Sequence, residues 1–192
     1  MYETKSFSIP ELTGISAKNI EEHLGLYAGY VKNTNNILDA IAAGTHEGYP
    51  LAEIQRRFSF EYNGMKNHEY YFESLEGGAK ELDSDSGLMK TIEAEWGSFD
   101  DWLERFKTIA KTRGVGWAIL YYDRDAKKLL NTWVDEQHLG HLNSAQYIVG
   151  IDMWEHAFVA DYQPSGKGQY IEDYFLNLNW SHASGLFDQA AQ

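Results

Sequence analysis

The sequence predicts an α+β chain in which an N-terminal α-helical hairpin precedes a mixed domain, with a three-stranded antiparallel sheet flanked by helices. Three observations point there. Apolar and ring-bearing residues advance by three or four through Ile20, His23, Tyr27, Tyr30 and Thr34, the repeat of one helix face, and a second helical, aromatic-rich stretch runs from Tyr62 to Glu73. Gly77-Gly78 and the polar run from Glu81 to Ser86 interrupt that helical part, which places a boundary between residues 1–80 and 81–192. Past it, the β-rich runs Val115 to Tyr122 and Leu129 to Val134 flank the polar turn Asp123-Arg124-Asp125-Ala126 as in an antiparallel hairpin, and Tyr147 to Ile151 supplies a third strand.

Each element has a local cause. Residues 7–15 are expected to be extended, because Pro10 disfavours helix before it and Gly14 punctuates the end. Ser16 can cap the first long helix, which Ile37 to Ala43 carries on until Gly44 breaks it. A short helix over Leu51 to Phe58 is expected in the connection to the second long helix. Leu88 to Trp96 and Phe99 to Thr112 read as helices, the second capped by Ser98 with Asp100 and Asp101 against its positive dipole end. Three closing helices are expected near His156–Tyr162, Tyr170–Asn177 and Ser181–Gln189. No internal repeat or low-complexity tract is present.

Composition narrows the function classes. A formal charge of −13 over 192 residues argues against nonspecific binding to nucleic acid or to an anionic membrane. The 15% aromatic content favours a rigid core or a shielded site over disorder. The chain has no cysteine, so histidine and carboxylate must supply any transition-metal site, and neither a disulfide framework nor a thiolate nucleophile is available. Met1 to Ser8 lacks a basic region followed by an apolar run, and no stretch approaches the roughly 18 apolar residues that span a bilayer. The expected location is cytoplasmic.

The chemistry centres on Asp152-Met153-Trp154-Glu155-His156. A carboxylate and an imidazole four residues apart converge on one ion when a strand end runs into a first helical turn. The same spacing also describes a solvated acid near an ordinary histidine. His23 lies on the buried stripe of the first helix, and His68 sits in the aromatic-rich second helix; each taken alone reads more readily as a packed core histidine than as a ligand. Taken together, two histidines on adjacent antiparallel helices, with an aspartate and a third histidine downstream, would make a cysteine-free set of four ligands.

The segment Gly150 to Phe158 resembles the D-x-W-E-H-A metal-binding signature of the iron/manganese superoxide dismutases. The resemblance runs from about Ile9 to Phe187 through Ile15 to His23, Tyr30 to Asn35, Asn67-His68, Trp96 to Phe99, Gly114 to Trp117 and Asn179-Trp180, in the family order. It implies His23, His68, Asp152 and His156 as ligands to one manganese or iron ion per subunit. It also implies Tyr30 as the phenol at the pocket mouth, Gln137 as an amide near bound solvent, and Glu155 as the residue that reaches the partner's site in a homodimer. The activity implied is metal-dependent disproportionation of superoxide. A non-haem iron oxidase or oxygenase built on two histidines and one carboxylate, or a non-catalytic metal-binding module on the same fold, are the alternatives.

Several departures from the family pattern carry expectations of their own. His23-Leu24-Gly25-Leu26-Tyr27-Ala28-Gly29-Tyr30 is one residue shorter than the family's first-helix motif and lacks its inner histidines, while Phe158-Val159 replaces the tyrosine pair after the signature. The usual histidine–tyrosine bridge between subunits is then replaced by apolar contact involving Val159. Ile119 stands where the family often has a second tryptophan, which implies a looser shield. Counting back by the family spacing lands on Glu22, but seven residues at about 100° each return within about 20° of Tyr30's face, which selects His23 on a regular helix. Gly64, four residues before His68, with Gln137 in the loop is the arrangement associated with manganese; a one-residue slip to His138 would suit iron or either metal.

Overall fold

The computed structural model describes residues 1–192. Helix α1 covers Ala17–Ala42 and helix α2 covers Gly48–Glu73. They lie antiparallel, since Tyr30 packs on Phe60 near the turn while His23 packs on His68 farther along. Ser16 is the N-cap of α1, its Oγ accepting from the Asn19 amide at 3.1 Å. The helix is α-helical throughout, with no bulge. Its buried line is Asn19, His23, Tyr27, Val31 and Thr34, so Tyr30 stands beside that line rather than on it. Tyr30 is consequently half-buried and open on one side.

The expected break between Leu51–Phe58 and Tyr62–Glu73 is absent: α2 is one 26-residue helix. Ser59-Phe60-Glu61 contains neither glycine nor proline to stop it, and Pro50 sits in its first turn, where a missing N–H is harmless. Its length matters to the site, because one rigid rod carries Phe60, Gly64 and His68 down the same face.

Helices α3 (Gly87–Trp96) and α4 (Phe99–Ala110) follow, with Ser98 capping α4 as its sequence predicts. The sheet has strand β1 (Gly116–Asp123) in the centre, antiparallel to both β2 (Lys128–Asp135) and β3 (Gln146–Asp152). Seven of the eight β1 residues are buried, which explains their apolar run without alternation. The register sets Trp117 directly across from Asp152, at the sheet end nearest the helical hairpin. Gly116 is required beside them: a Cβ there would meet the Val134 carbonyl at 2.1 Å.

The chain closes with α5 (Lys167–Asn177) and α6 (Trp180–Ala190). In place of the helix expected over His156–Tyr162 there is a single 3₁₀ turn, Glu155–Ala157, followed by further turns. Pro164 disfavours helix in the preceding residue, and the Asp161 carboxylate is committed to the Ser16 amide and the Asn19 side chain, which pulls this segment onto the start of α1. One hydrophobic core joins Tyr71 and Phe72 of α2, Trp102 and Phe106 of α4, Trp117 to Tyr122 of central β1, and Tyr170 and Tyr174 of α5. No helix is long and apolar enough to cross a membrane.

Candidate metal centre

Four side chains from four different elements converge between the helical hairpin and the sheet. His23 comes from the buried face of α1, His68 from α2, Asp152 is the last residue of β3, and His156 sits in the 3₁₀ turn that follows. Their ligating atoms all lie within 4.8 Å of one another. Nε2 of His23 and Nε2 of His156 each stand 3.1 Å from Asp152 Oδ2, and Nε2 of His68 stands 3.5 Å from the same oxygen. The other carboxylate oxygen accepts from the Trp154 amide at 2.8 Å, which locks the plane of the group.

The protonation pattern suits a cation. His68 donates Nδ1–H to the Gly64 carbonyl at 2.6 Å, so Nε2 carries a lone pair, and that buried atom has no hydrogen-bond partner. Leaving such an atom unpaired costs about 1–3 kcal/mol unless an electron-pair acceptor meets it. Burial lowers the pKa of His68 to about 3 and also depresses that of His23, so both imidazoles are neutral at physiological pH. Burial alone would raise the Asp152 pKa, but the facing His156 and His23 rings more than offset it and keep the carboxylate ionised. Three imidazole nitrogens around one buried negative oxygen could hold a divalent or trivalent transition metal, and the donor set of nitrogen and oxygen without sulfur fits manganese or iron.

Around this cluster the polar groups are paired in series. Trp117 donates Nε1–H to Gln137 Oε1 at 2.8 Å, and Gln137 donates Nε2–H to the Tyr30 hydroxyl at 3.0 Å. The Tyr30 ring centroid lies 4.9 Å from that of His68, and the Trp117 ring stands edge-on to His68 at 5.1 Å. Burial, reinforced by the Asp152 charge, raises the Tyr30 pKa, so the phenol keeps its proton. Phe72 and Tyr71 pack 5.0 Å from the His23 ring, and Trp154 stacks on His156. On the outer side, a cleft of about 320 Å³ leads to Tyr30 past Leu26, Asn33, Arg57, Phe60, Glu61 and Trp154.

Comparison with known proteins gives the chain's family. The family model for the iron/manganese superoxide dismutases, C-terminal domain, matches residues 84–185. The chain is 31% identical to a superoxide dismutase [Fe] of Tetrahymena pyriformis, over 93% of this chain and 94% of that one. The chain belongs to the iron/manganese superoxide dismutase family. It is also 30% identical to a superoxide dismutase [Fe] of Cupriavidus metallidurans over 100% of this chain and 99% of the relative, and 29% identical to a superoxide dismutase [Mn] 1 of Halobacterium salinarum over 86% and 82%.

Set against the superoxide dismutase pattern, the structure brings together six of the residues singled out in the sequence: His23, His68, Asp152, His156, Tyr30 and Gln137. Glu22 is exposed and faces Lys18 at 3.7 Å, away from the cluster. His138 does not replace Gln137, for its ring stands edge-on to Phe60 while Gln137 is fully buried against Tyr30. Ile119 is buried in the core of β1, and the aromatic wall of the site comes instead from Trp117, Trp154, Tyr71 and Phe72. The four converging donors exceed the three of the two-histidine, one-carboxylate oxygenase pattern.

The sequence reading assigned no role to Trp117, Asn67 or His141, all of which hold Gln137. Asn67 donates Nδ2–H to the Gln137 carbonyl at 3.1 Å. The motifs Gly114-Val115-Gly116-Trp117 and Asn67-His68 were the available signal. Their contact with Gln137 depends on strand register and loop course, which are nonlocal.

Proposed function

We propose that this chain catalyses the disproportionation of superoxide to dioxygen and hydrogen peroxide, using one manganese or iron ion per subunit held by His23, His68, Asp152 and His156. The observation that carries the reading is the approach of three imidazole nitrogens to Asp152 Oδ2 in a member of this family. When bound, the ion supplies alternate one-electron oxidation and reduction of superoxide. The protein supplies the rest. Asp152 provides the fixed negative charge that offsets the cation. Tyr30 accepts a hydrogen bond from Gln137, so its own hydroxyl proton remains free to be donated to an oxygen anion entering from the cleft. Gln137 is itself held at Oε1 by Trp117, which keeps its amide pointed at Tyr30.

Manganese is the metal we propose for most of the activity. Its support is the pairing of Gly64 with Gln137: a Cβ at position 64 would lie 2.5 Å from the Tyr30 ring, so α2 has no room for a side-chain amide and the loop must provide it. The relatives carry both iron and manganese in their names, so this chain's own residues carry the choice. Separate reconstitution with each ion should give higher activity per bound metal with manganese, and Gln137→Ala should lower the manganese activity about 10–100-fold. Higher specific activity with iron, or indifference to loss of Gln137, would reverse the assignment.

The same proposal includes a homodimer with Glu155 at the interface beside the metal and a cytoplasmic setting for the cysteine-free chain. Glu155 is exposed one residue from His156, and the apolar side chains Leu26 and Val159 are 43% and 45% exposed. Sedimentation of Glu155→Ala should show weaker self-association together with reduced activity. A fully active wild-type monomer would remove the interface role.

A further inference from the structure

We infer that His141 is a positioning residue for the dismutation site, acting through the backbone of Gln137. The inference rests on the dismutase reading and extends it to a side chain four residues along the same loop as Gln137. The loop leaves β2 in a conformation that L-residues rarely hold, with Glu136 at φ 52°, so side-chain contacts help to keep its shape. The Gln137 carbonyl receives two: Asn67 Nδ2–H at 3.1 Å and His141 Nε2 at 3.0 Å. A carbonyl only accepts, so Nε2 of His141 bears the proton and Nδ1 is the acceptor. The Tyr121 hydroxyl, 2.5 Å from Nδ1, therefore donates to it and holds the ring in the one tautomer that can grip Gln137. Burial lowers the His141 pKa, which keeps that neutral tautomer in place.

The consequence reaches the site through a single residue. Gln137 is fully buried and its amide spans from Trp117 to Tyr30, so a shift of its backbone moves the hydrogen bond at the Tyr30 hydroxyl. Tyr121, His141 and Asn67 also line a polar cleft of about 550 Å³ that shares no lining residue with the Tyr30 cleft. The grip is thus outside the substrate path, and its loss acts on chemistry by displacement alone.

The test uses the metal-loaded protein and five variants: His141→Ala, His141→Gln, Tyr121→Phe, Gln137→Ala and the double variant His141→Ala with Gln137→Ala. Bound metal, kcat and the midpoint reduction potential of the ion are read on each. His141→Ala should retain its metal, lose about five- to tenfold in kcat, and move the potential in the direction that Gln137→Ala moves it. His141→Gln, whose amide can still donate to the carbonyl, should recover at least half of the loss. The double variant should match Gln137→Ala within about twofold, because both act through one group. Wild-type kcat and potential in His141→Ala, or losses that multiply in the double variant, would overturn the inference. Should His141→Ala fail to fold, Tyr121→Phe decides, with an unchanged kcat and potential counting against it. An inactive wild-type holoprotein would remove the dismutase reading and this role with it, whereas an active wild type with an indifferent His141 removes this role alone.

Discussion

Asp152→Asn should leave a folded protein that no longer holds its metal and dismutates superoxide at least about a hundredfold more slowly, a larger loss than the 10–100-fold typical of groups one step removed from a metal. Asparagine has the shape of aspartate and keeps an oxygen able to accept from the Trp154 amide, so the turn after β3 survives. What it removes is the negative charge facing the three imidazoles, of which His23 and His68 are fully buried. In the metal-free protein the His156 and His23 contacts more than offset the burial of that charge, so the variant should unfold somewhat below the metal-free wild type. The deficit should widen in the comparison with metal present, since a ligand that binds the folded state alone stabilises it by mass action. Metal analysis beside thermal unfolding checks this. A variant that retains a full complement of metal and wild-type activity would place the ion elsewhere.

Gly64→Ala should destabilise the protein by about 1–3 kcal/mol, the usual range for overpacking a filled site, although the same change in an open helix stabilises by about 0.5–1 kcal/mol. The sign turns on Tyr30. The new methyl would lie 2.5 Å and 2.7 Å from two of its ring carbons, and the ring is pinned from the other side by the Gln137 amide. Either α1 and α2 separate or Tyr30 leaves its hydrogen bond, and the second route lowers kcat as well as stability. Gly64→Gln should do both more strongly. The control lies in α1, where Gly25 and Gly29 meet nothing within 4 Å of an added Cβ, so alanine there should stabilise. Chemical denaturation of all four variants is the check. Stabilisation by Gly64→Ala equal to that by Gly25→Ala would mean that Tyr30 does not occupy the position described.

What could be read in the sequence was local. The Asp152-to-His156 spacing is a strand end entering a turn, and the seven-residue step from His23 to Tyr30 puts both on neighbouring rows of one helix, so neither needs tertiary information. Strand positions were legible for the same reason, each being an apolar run between turn residues. The division at Leu51–Phe58 failed because Ser59-Phe60-Glu61 holds no glycine or proline to stop a helix, and Phe60 and Glu61 are buried along the continuous α2. The expected helix at His156–Tyr162 failed because tertiary bonds to Asp161 outweigh a weak local preference. Gln137 and His138 could not be separated, since they are neighbours in one loop and the contacts with Trp117 and Tyr30 that turn Gln137 inward are nonlocal. The grip of Tyr121 and His141 on Gln137 was invisible, because it spans strand β1 and a loop some twenty residues later.

The central claim is that a single ion among His23, His68, Asp152 and His156 makes this chain a superoxide dismutase. Its most direct test is the rate of superoxide decay, followed by stopped flow, as a function of metal bound per chain in samples loaded from empty to full with manganese or with iron. The prediction is a straight line through the origin that reaches its plateau at one ion per chain, and that collapses to the baseline in Asp152→Asn. Superoxide decay no faster than the uncatalysed rate in fully loaded wild type with either metal, or a rate independent of the metal bound, would contradict it.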